Sequence, residues 1–260
     1  MLTGIQELYS YRELVGMWAL REIKARYTQS VFGLAWAVFQ PIALSLVYVL
    51  VFAYIVRVPS DGIPYPLFVF AAQLPWSFFS RGLLGAVPSI VTNMNLVTKI
   101  YVPRATFPLA SIMACFMDFA WGLLVLIVMM LYYAVPVNPA MPFVIVLFVI
   151  QLLLMGGLAL IASALNVFLR DISQMLPLLL QIAMYACPII YSISSVPERL
   201  RPFYLLNPMA VIIEGYRSVL FKGTLPDFGY VAVAAAVSLA VFIIGFVVFR
   251  SLEDQFADVI

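Results

Sequence analysis

Residues 119–169 carry no Asp, Glu, Lys or Arg, and the run is broken only by Val135-Pro136-Val137-Asn138-Pro139. An uncharged apolar run of about 18 to 25 residues crosses a bilayer's hydrocarbon core as a helix rising roughly 1.5 Å per residue. Two spans joined by a tight proline turn are therefore expected here. The same pattern along the chain predicts six spans, at 32–56, 66–87, 105–134, 142–169, 175–193 and 228–249. The runs are continuous, so helices are expected; a barrel would show alternating segments of about ten residues. Pro41, Pro75 and Pro177 lie in or at the start of spans, where each kinks or begins a helix and neighbouring helices satisfy the freed backbone groups.

Three segments outside these runs have patterns of their own. In residues 11–27, Tyr11, Leu14, Val15 and Trp18 share a helical face, while Arg21, Lys24 and Arg26 reach toward headgroups. This reads as an interfacial helix, although Glu22 intrudes into the apolar arc. Residues 89–104, SIVTNMNLVTKIYVPR, are too polar to continue the second span, and Pro103 disfavours helix at Val102. They fit a short helix on the membrane surface, a contact for a partner, or else a plain connecting loop. Residues 194–222 hold short pieces: Ser195-Val196-Pro197-Glu198, then Asn207-Pro208-Met209 opening a helix to about Phe221. Neither is long enough to cross twice, so a re-entrant outer hairpin is expected, with Glu214 and Arg217 spaced i,i+3 to pair or to line a polar path.

Nine of the fourteen basic residues (Arg12, Arg21, Lys24, Arg26, Arg81, Lys99, Arg104, Arg170 and Arg250) fall on one side of this topology. The positive-inside rule places that side, and with it both termini, in the cytoplasm. Hydrophobic residues make up 65% of the 260, against 10% charged, so lipid is the solvent for most of the chain and one permease domain (residues 1–31 interfacial, 32–249 bundle, 250–260 tail) is expected. A net charge of +2 is too small to argue for nucleic acid. With no histidine, the commonest general base and metal ligand is missing, and no metal cluster, phosphate loop or nucleophile–base pair is visible. Cys115 and Cys187 sit in apolar runs and read as small core residues. The first apolar run starts behind a charged stretch, so an uncleaved insertion is expected.

Asp118 is the acid deep in a span; a charge there costs about 2.5–3.5 kcal/mol on insertion scales and must face protein or water. Arg81 is a candidate partner. A proton path would need further acids or histidines in the spans, so structural pairing or protonation is the preferred reading. Tyr48 and Tyr54 in the first span, with Tyr185 and Tyr191 in the fifth, combine flat apolar faces with hydroxyl groups, which suits stacking on a sugar ring as well as ordinary packing.

Arg21-Glu22-Ile23-Lys24-Ala25-Arg26-Tyr27 with Ser30, Gly33-Leu34 and Trp36 resembles the opening of the membrane subunits of ABC-type polysaccharide exporters, the permeases for O-antigen, capsular polysaccharide and teichoic acid. The resemblance continues in order through Asn95-Leu96-Val97-Thr98-Lys99, Phe168-Leu169-Arg170-Asp171-Ile172, Cys187-Pro188-Ile189-Ile190-Tyr191 and Leu206-Asn207-Pro208-Met209 with Tyr216-Arg217. Cys187 stands where Ser or Thr is expected.

That resemblance implies an all-α polytopic permease of six spans that homodimerises in the inner membrane and recruits two copies of a cytoplasmic ABC ATPase. ATP and Mg would be bound by the ATPase, so this chain would hold no cofactor and be no enzyme. A lipid-linked glycan would pass through a channel walled by the first and fifth spans, with Tyr48, Tyr54, Tyr185 and Tyr191 as lining candidates. Asn93, Asn95, Leu96, Lys99, Tyr101, Arg170 and Asp171 would couple to the ATPase, and Asn207, Pro208, Glu214 and Arg217 would form an outer gate. Export of a drug or small lipid by the same architecture is the alternative, and an integral membrane enzyme on lipid-linked substrates a more distant one. A secondary transporter would need inverted repeats and buried ionisable groups, and neither is clear.

Overall fold

The structure, a computed structural model, describes residues 11–28, 33, 35–94 and 102–257, and every regular element among them is helical. Helix α1 (Arg12–Tyr27) precedes α2 (Ala35–Tyr48), whose last turns widen into a π-helix over Val49–Ile55. Next come α3 (Tyr65–Ala86), the single turn α4 (Ser89–Thr92) and α5 (Thr106–Tyr132). A 3-10 turn at Met141–Phe143 leads into α6 (Val144–Phe168), followed by α7 (Asp171–Tyr185). Two short helices, α8 (Arg201–Tyr204) and α9 (Pro208–Arg217), come before α10 (Phe228–Leu252), which closes in a 3-10 turn at Glu253–Ala257.

Five of these helices are long and apolar enough to cross a membrane: Ala35–Ile55, Tyr65–Ala86, Thr106–Tyr132, Met141–Phe168 and Phe228–Phe256. They match the first four and the last of the predicted spans. The predicted fifth span, 175–193, is placed differently. Its helix, α7, starts at Asp171, ends at Tyr185, and at 15 residues is about 22 Å long. Pro188 stops it, because a proline ring clashes with the carbonyl four residues earlier, here Met184. Residues 186–192 continue as turns and bends, so Tyr191 lies beyond the helix.

The order of burial sets the architecture. In α3, 78% of the most apolar window is buried, with Leu67, Phe68, Val69, Phe70, Ala71 and Ala72 at its heart, against 11% in α2. A helix apolar all round is the one that other helices surround. Helix α3 is thus the hub, packed by α5 and α6 and capped by α9. Gln151 of α6 donates to the carbonyl of Pro75 at 2.7 Å, at the proline inside α3.

Helices α6 and α10 approach through glycines. A Cβ on Gly157 would lie 2.6 Å from the backbone of Phe242, and Gly245 faces the Gly157 backbone directly. Small residues at such crossings let backbones close in, which in lipid supplies the dispersion contact that no hydrophobic effect provides. By contrast, α2 and α7 are peripheral. Ala37, Pro41 and Ser45 are buried in α2, none of Val49–Ile55 is, and in α7 only Leu180 is buried.

Candidate functional site

Helix α1 lies along the first half of α5 in one register. Trp18 meets Phe107 edge-on, with ring centroids 5.3 Å apart. Glu22 accepts from Ser111 Oγ at 2.7 Å, and Arg26 Nη1 is 4.0 Å from Cys115 Sγ. Each pair is 89 residues apart in sequence, so the two helices run side by side in the same direction. The predicted apolar face is the docked one, with Val15 and Ala19 buried in it. Glu22, which interrupts that face in the sequence, points at a hydroxyl. Burial raises its pKa above the ordinary carboxylate value, and the Ser111 bond and the Arg26 and Arg21 charges only partly offset this.

This register carries Arg26 to the middle of α5. Arg26 Nη1 donates to Asp118 Oδ2 at 3.0 Å, and Arg81 Nη1 of α3 lies 3.5 Å from the same oxygen. The expected pairing of Asp118 with Arg81 is therefore present, joined by a second guanidinium from α1. Beside this triad an open cavity of about 480 Å³ is lined by Arg26, Trp36, Ala37, Gln40, Arg81, Leu84, Gly85 and Asp118.

A second polar cluster forms at the opposite end. Arg217, at the end of α9, has no exposed surface and lies over the Phe68 ring, 3.4 Å from its centroid. It donates to the carbonyls of Phe68 at 3.1 Å, Pro188 at 2.5 Å and Ile189 at 2.7 Å. These last two are carbonyls freed by the end of α7. One guanidinium thus joins α3, α9 and the turns after α7.

Glu214 approaches Arg217 at 3.7 Å and Lys222 at 3.1 Å, and Lys222 reaches Asp61 at 3.6 Å. Asp61 accepts from Ser192 and, at 2.8 Å, from Ser194. Burial pushes the Asp61 pKa up, but the two serine bonds and Lys222 outweigh it and hold the carboxyl below its ordinary value. Asn207 caps α9, its Oδ1 accepting from Met209 N at 3.0 Å, with Pro208 at the first helical position.

The candidate lining residues divide. Tyr48 donates to Met184 Sδ at 3.8 Å, which sets α2 beside α7. Tyr54 is 71% exposed and Tyr185 57%. Tyr191 is bound elsewhere, to the carbonyl of Tyr185 at 2.8 Å and to the Tyr204 hydroxyl. The exposed face of α7 also carries Gln174 and Gln181, which share a stripe with Tyr185 at helical spacing. The sequence reading missed these two glutamines; their seven-residue spacing in an otherwise apolar run was the signal.

Of the coupling candidates, Arg170 and Asp171 are exposed at the start of α7, which is fixed by Asn166 Oδ1 accepting from Ser173 N at 3.0 Å. Asn93 donates to the Ser89 carbonyl at 2.8 Å. Asn95, Leu96, Lys99 and Tyr101 lie outside the described residues.

The family model for ABC-2 type transporters matches residues 13–221. The chain belongs to that family. It is therefore a transporter's membrane subunit rather than an enzyme. Among its relatives, the O-antigen export system permease protein RfbA of Myxococcus xanthus is 33% identical over 99% of both chains. A Klebsiella pneumoniae protein of the same name is 27% identical over 92% of each. The polysialic acid transport protein KpsM of Escherichia coli is 24% identical over 90% of this chain and 92% of its own.

Proposed function

We infer that this chain is the transmembrane subunit of an ATP-driven polysaccharide exporter. The observation that carries the reading is the end-to-end match to an O-antigen export permease, with 99% of both chains aligned. No Gly-rich phosphate-binding loop is visible in the sequence, and a separate ABC ATPase supplies the energy. In the finer reading, two copies of this chain and two of the ATPase assemble in the inner membrane, with both termini cytoplasmic. Helix α7 and the turns after it serve as the fifth of six spans.

The geometry of α2 and α7 supports a conduit between two copies. A lipid-facing helix with two glutamines and a tyrosine on one stripe is unfavourable, since polar side chains in a bilayer turn toward protein or water. Facing its counterpart in a second copy, the same stripe would border a wet lumen. Flat tyrosine faces give a sliding sugar chain apolar contact without fixed hydrogen bonds that would trap it. Residues 93–101, with Arg170 and Asp171, then form the surface that the ATPase moves. Asn207, Pro208, Glu214 and Arg217 hold the outer end as a gate.

The test replaces Leu96 and Lys99 together by Glu. Surface polysaccharide is expected to fall to the level of a strain lacking the gene, with the protein still inserted and ATP hydrolysis no longer linked to export. Normal surface polysaccharide in the strain lacking the gene would refute the exporter reading. Normal export by the double variant would refute only the coupling role.

A further inference from the structure

The turns after α7 are fastened on two sides. Toward the core, Arg217 donates to the carbonyls of Pro188 and Ile189, and Tyr65 Oη, at the start of α3, donates to that of Ile190 at 2.8 Å. These bonds are shielded from water, and a buried carbonyl that loses its donor is left at the full cost of its desolvation. Toward α2, the fastening is Asp61, in the loop 56–64 that joins α2 to α3. Its carboxylate accepts from Ser192 and, at 2.8 Å, from Ser194 of the turns, and pairs with Lys222. Here water has access: the Asp61 side chain is 24% exposed and that of Lys222 35%. Ion pairs open to water contribute little.

The backbone beneath this carboxylate is in the left-handed region, with φ of 53° at Asp61, 80° at Gly62 and 59° at Arg57. Glycine adopts such angles freely, whereas a residue with a Cβ does so against a steric cost. Non-glycine residues stay there where their surroundings over-determine them, and they cluster at parts that switch. The loop and the turns lead from α2 and α7, whose surfaces are mostly uncovered and which meet at Tyr48 and Met184. When these two helices separate at this end, the buried bonds to α3 hold and the Asp61 contact is the one that yields. Its carboxyl lies below the ordinary value and stays charged near neutral pH, so protonation does not open it.

We propose that Asp61 is a positioning residue for transport: a clasp between the loop from α2 and the turns after α7, closed at rest and released as polymer passes. The proposal rests on the reading of α2 and α7 as walls of the conduit.

The experiment uses the whole chain with its ATPase, in cells that lack a lactose permease. Hydrolysis of o-nitrophenyl galactoside by cytoplasmic β-galactosidase then reports entry of a small polar solute. Ser192→Ala with Ser194→Ala removes the donors from one side of the clasp, and Asp61→Gly removes the acceptor where glycine fits the backbone. Each change is expected to raise entry about fivefold, the scale of one exposed polar contact. Combined, they are expected to raise it no further, since groups that act through each other are not additive. Asp61→Asn still accepts from the serines and is expected to restore most of the barrier, which a general folding defect at this position would not allow. In the opposite direction, Asp61→Cys and Ser194→Cys joined by a short bis-methanethiosulfonate are expected to abolish the appearance of surface polysaccharide until the link is reduced. Cys115 and Cys187 are buried and stay out of that reaction. Unchanged entry with either the serine pair or Asp61→Gly, effects that simply add, or undiminished export by the cross-linked form overturns the proposal. Failure of the exporter reading shows separately, as surface polysaccharide that persists without the gene, while nitrophenyl galactoside entry still reports on the clasp.

Discussion

Arg217 shows how one side chain can define the end of a helix. Its planar fork meets carbonyls of four residues, three of them in the turns where Pro188 stops α7, and its face lies on Phe68. Arg217→Met removes the donors, leaves those buried carbonyls without a partner and leaves Glu214 to Lys222 alone. A loss of roughly 3–5 kcal/mol is expected, as for other buried pairs broken on one side. Arg217→Lys should recover little, because an ammonium lacks the fork. Thermal unfolding in detergent, followed by loss of the monodisperse protein, measures both. The sequence places Glu214 and Arg217 on one helical segment, and i,i+3 spacing is enough for that. It does not reveal that Arg217 points inward to α3, since Phe68 lies 149 residues away. The same holds for Arg26: Asp118 announces its need for a partner by being an acid in an apolar run, but a partner 92 residues distant depends on how α1 docks.

At the scale of elements, the spans were legible because a bilayer permits few alternatives: backbone groups must be satisfied internally, so long apolar runs become helices. The boundaries of α7 were not, because the apolar run 175–193 continues past the point where Pro188 and Arg217 end the helix. Apolarity marks what lies in the membrane, whether helix or turn. Docking of α1 on α5 likewise needed three-dimensional register, though its docked face was readable from Tyr11, Val15 and Trp18. The α6–α10 contact yields a direct test. Gly157→Val places a branched side chain where a Cβ would already lie 2.6 Å from the Phe242 backbone. Separation of the helices and a cost of about 3 kcal/mol are expected, at the upper end for overpacking. Gly16→Ala, inside α1 where a Cβ meets nothing within 4 Å, should instead gain roughly 0.5–1 kcal/mol of helix stability. Melting temperature and cross-linking between cysteines placed on α6 and α10 report the difference.

For the whole molecule, the division of burial is the functional statement. Helices α3, α5, α6, α9 and α10 form a packed body, while α2 and α7 stand against it with most of their surface uncovered. If those uncovered faces wall a conduit, Tyr48→Leu, Tyr54→Leu and Tyr185→Leu combined should reduce polysaccharide export about tenfold, each ring contact being worth roughly 0.5–1.5 kcal/mol. Assembly with the ATPase and its hydrolysis should persist. Unchanged polymer flux, measured as surface glycan per cell, would remove these rings from the pathway. Tyr191→Phe, in contrast, should act through the turn that its hydroxyl ties to Tyr185 and Tyr204.

The triad of Arg26, Arg81 and Asp118 also bears on how the protein is made. A nascent chain emerges from its N-terminus, so α1 and α3 exist before the ribosome has completed α5. Both guanidiniums are in hand when the carboxylate arrives. The acid therefore never has to wait in the bilayer for a counter-ion still to be synthesised. Because α1 follows α5 in parallel register, it can settle as that helix is released, its early residues meeting the early residues of α5 first. Biogenesis and the final ion pair thus share one order.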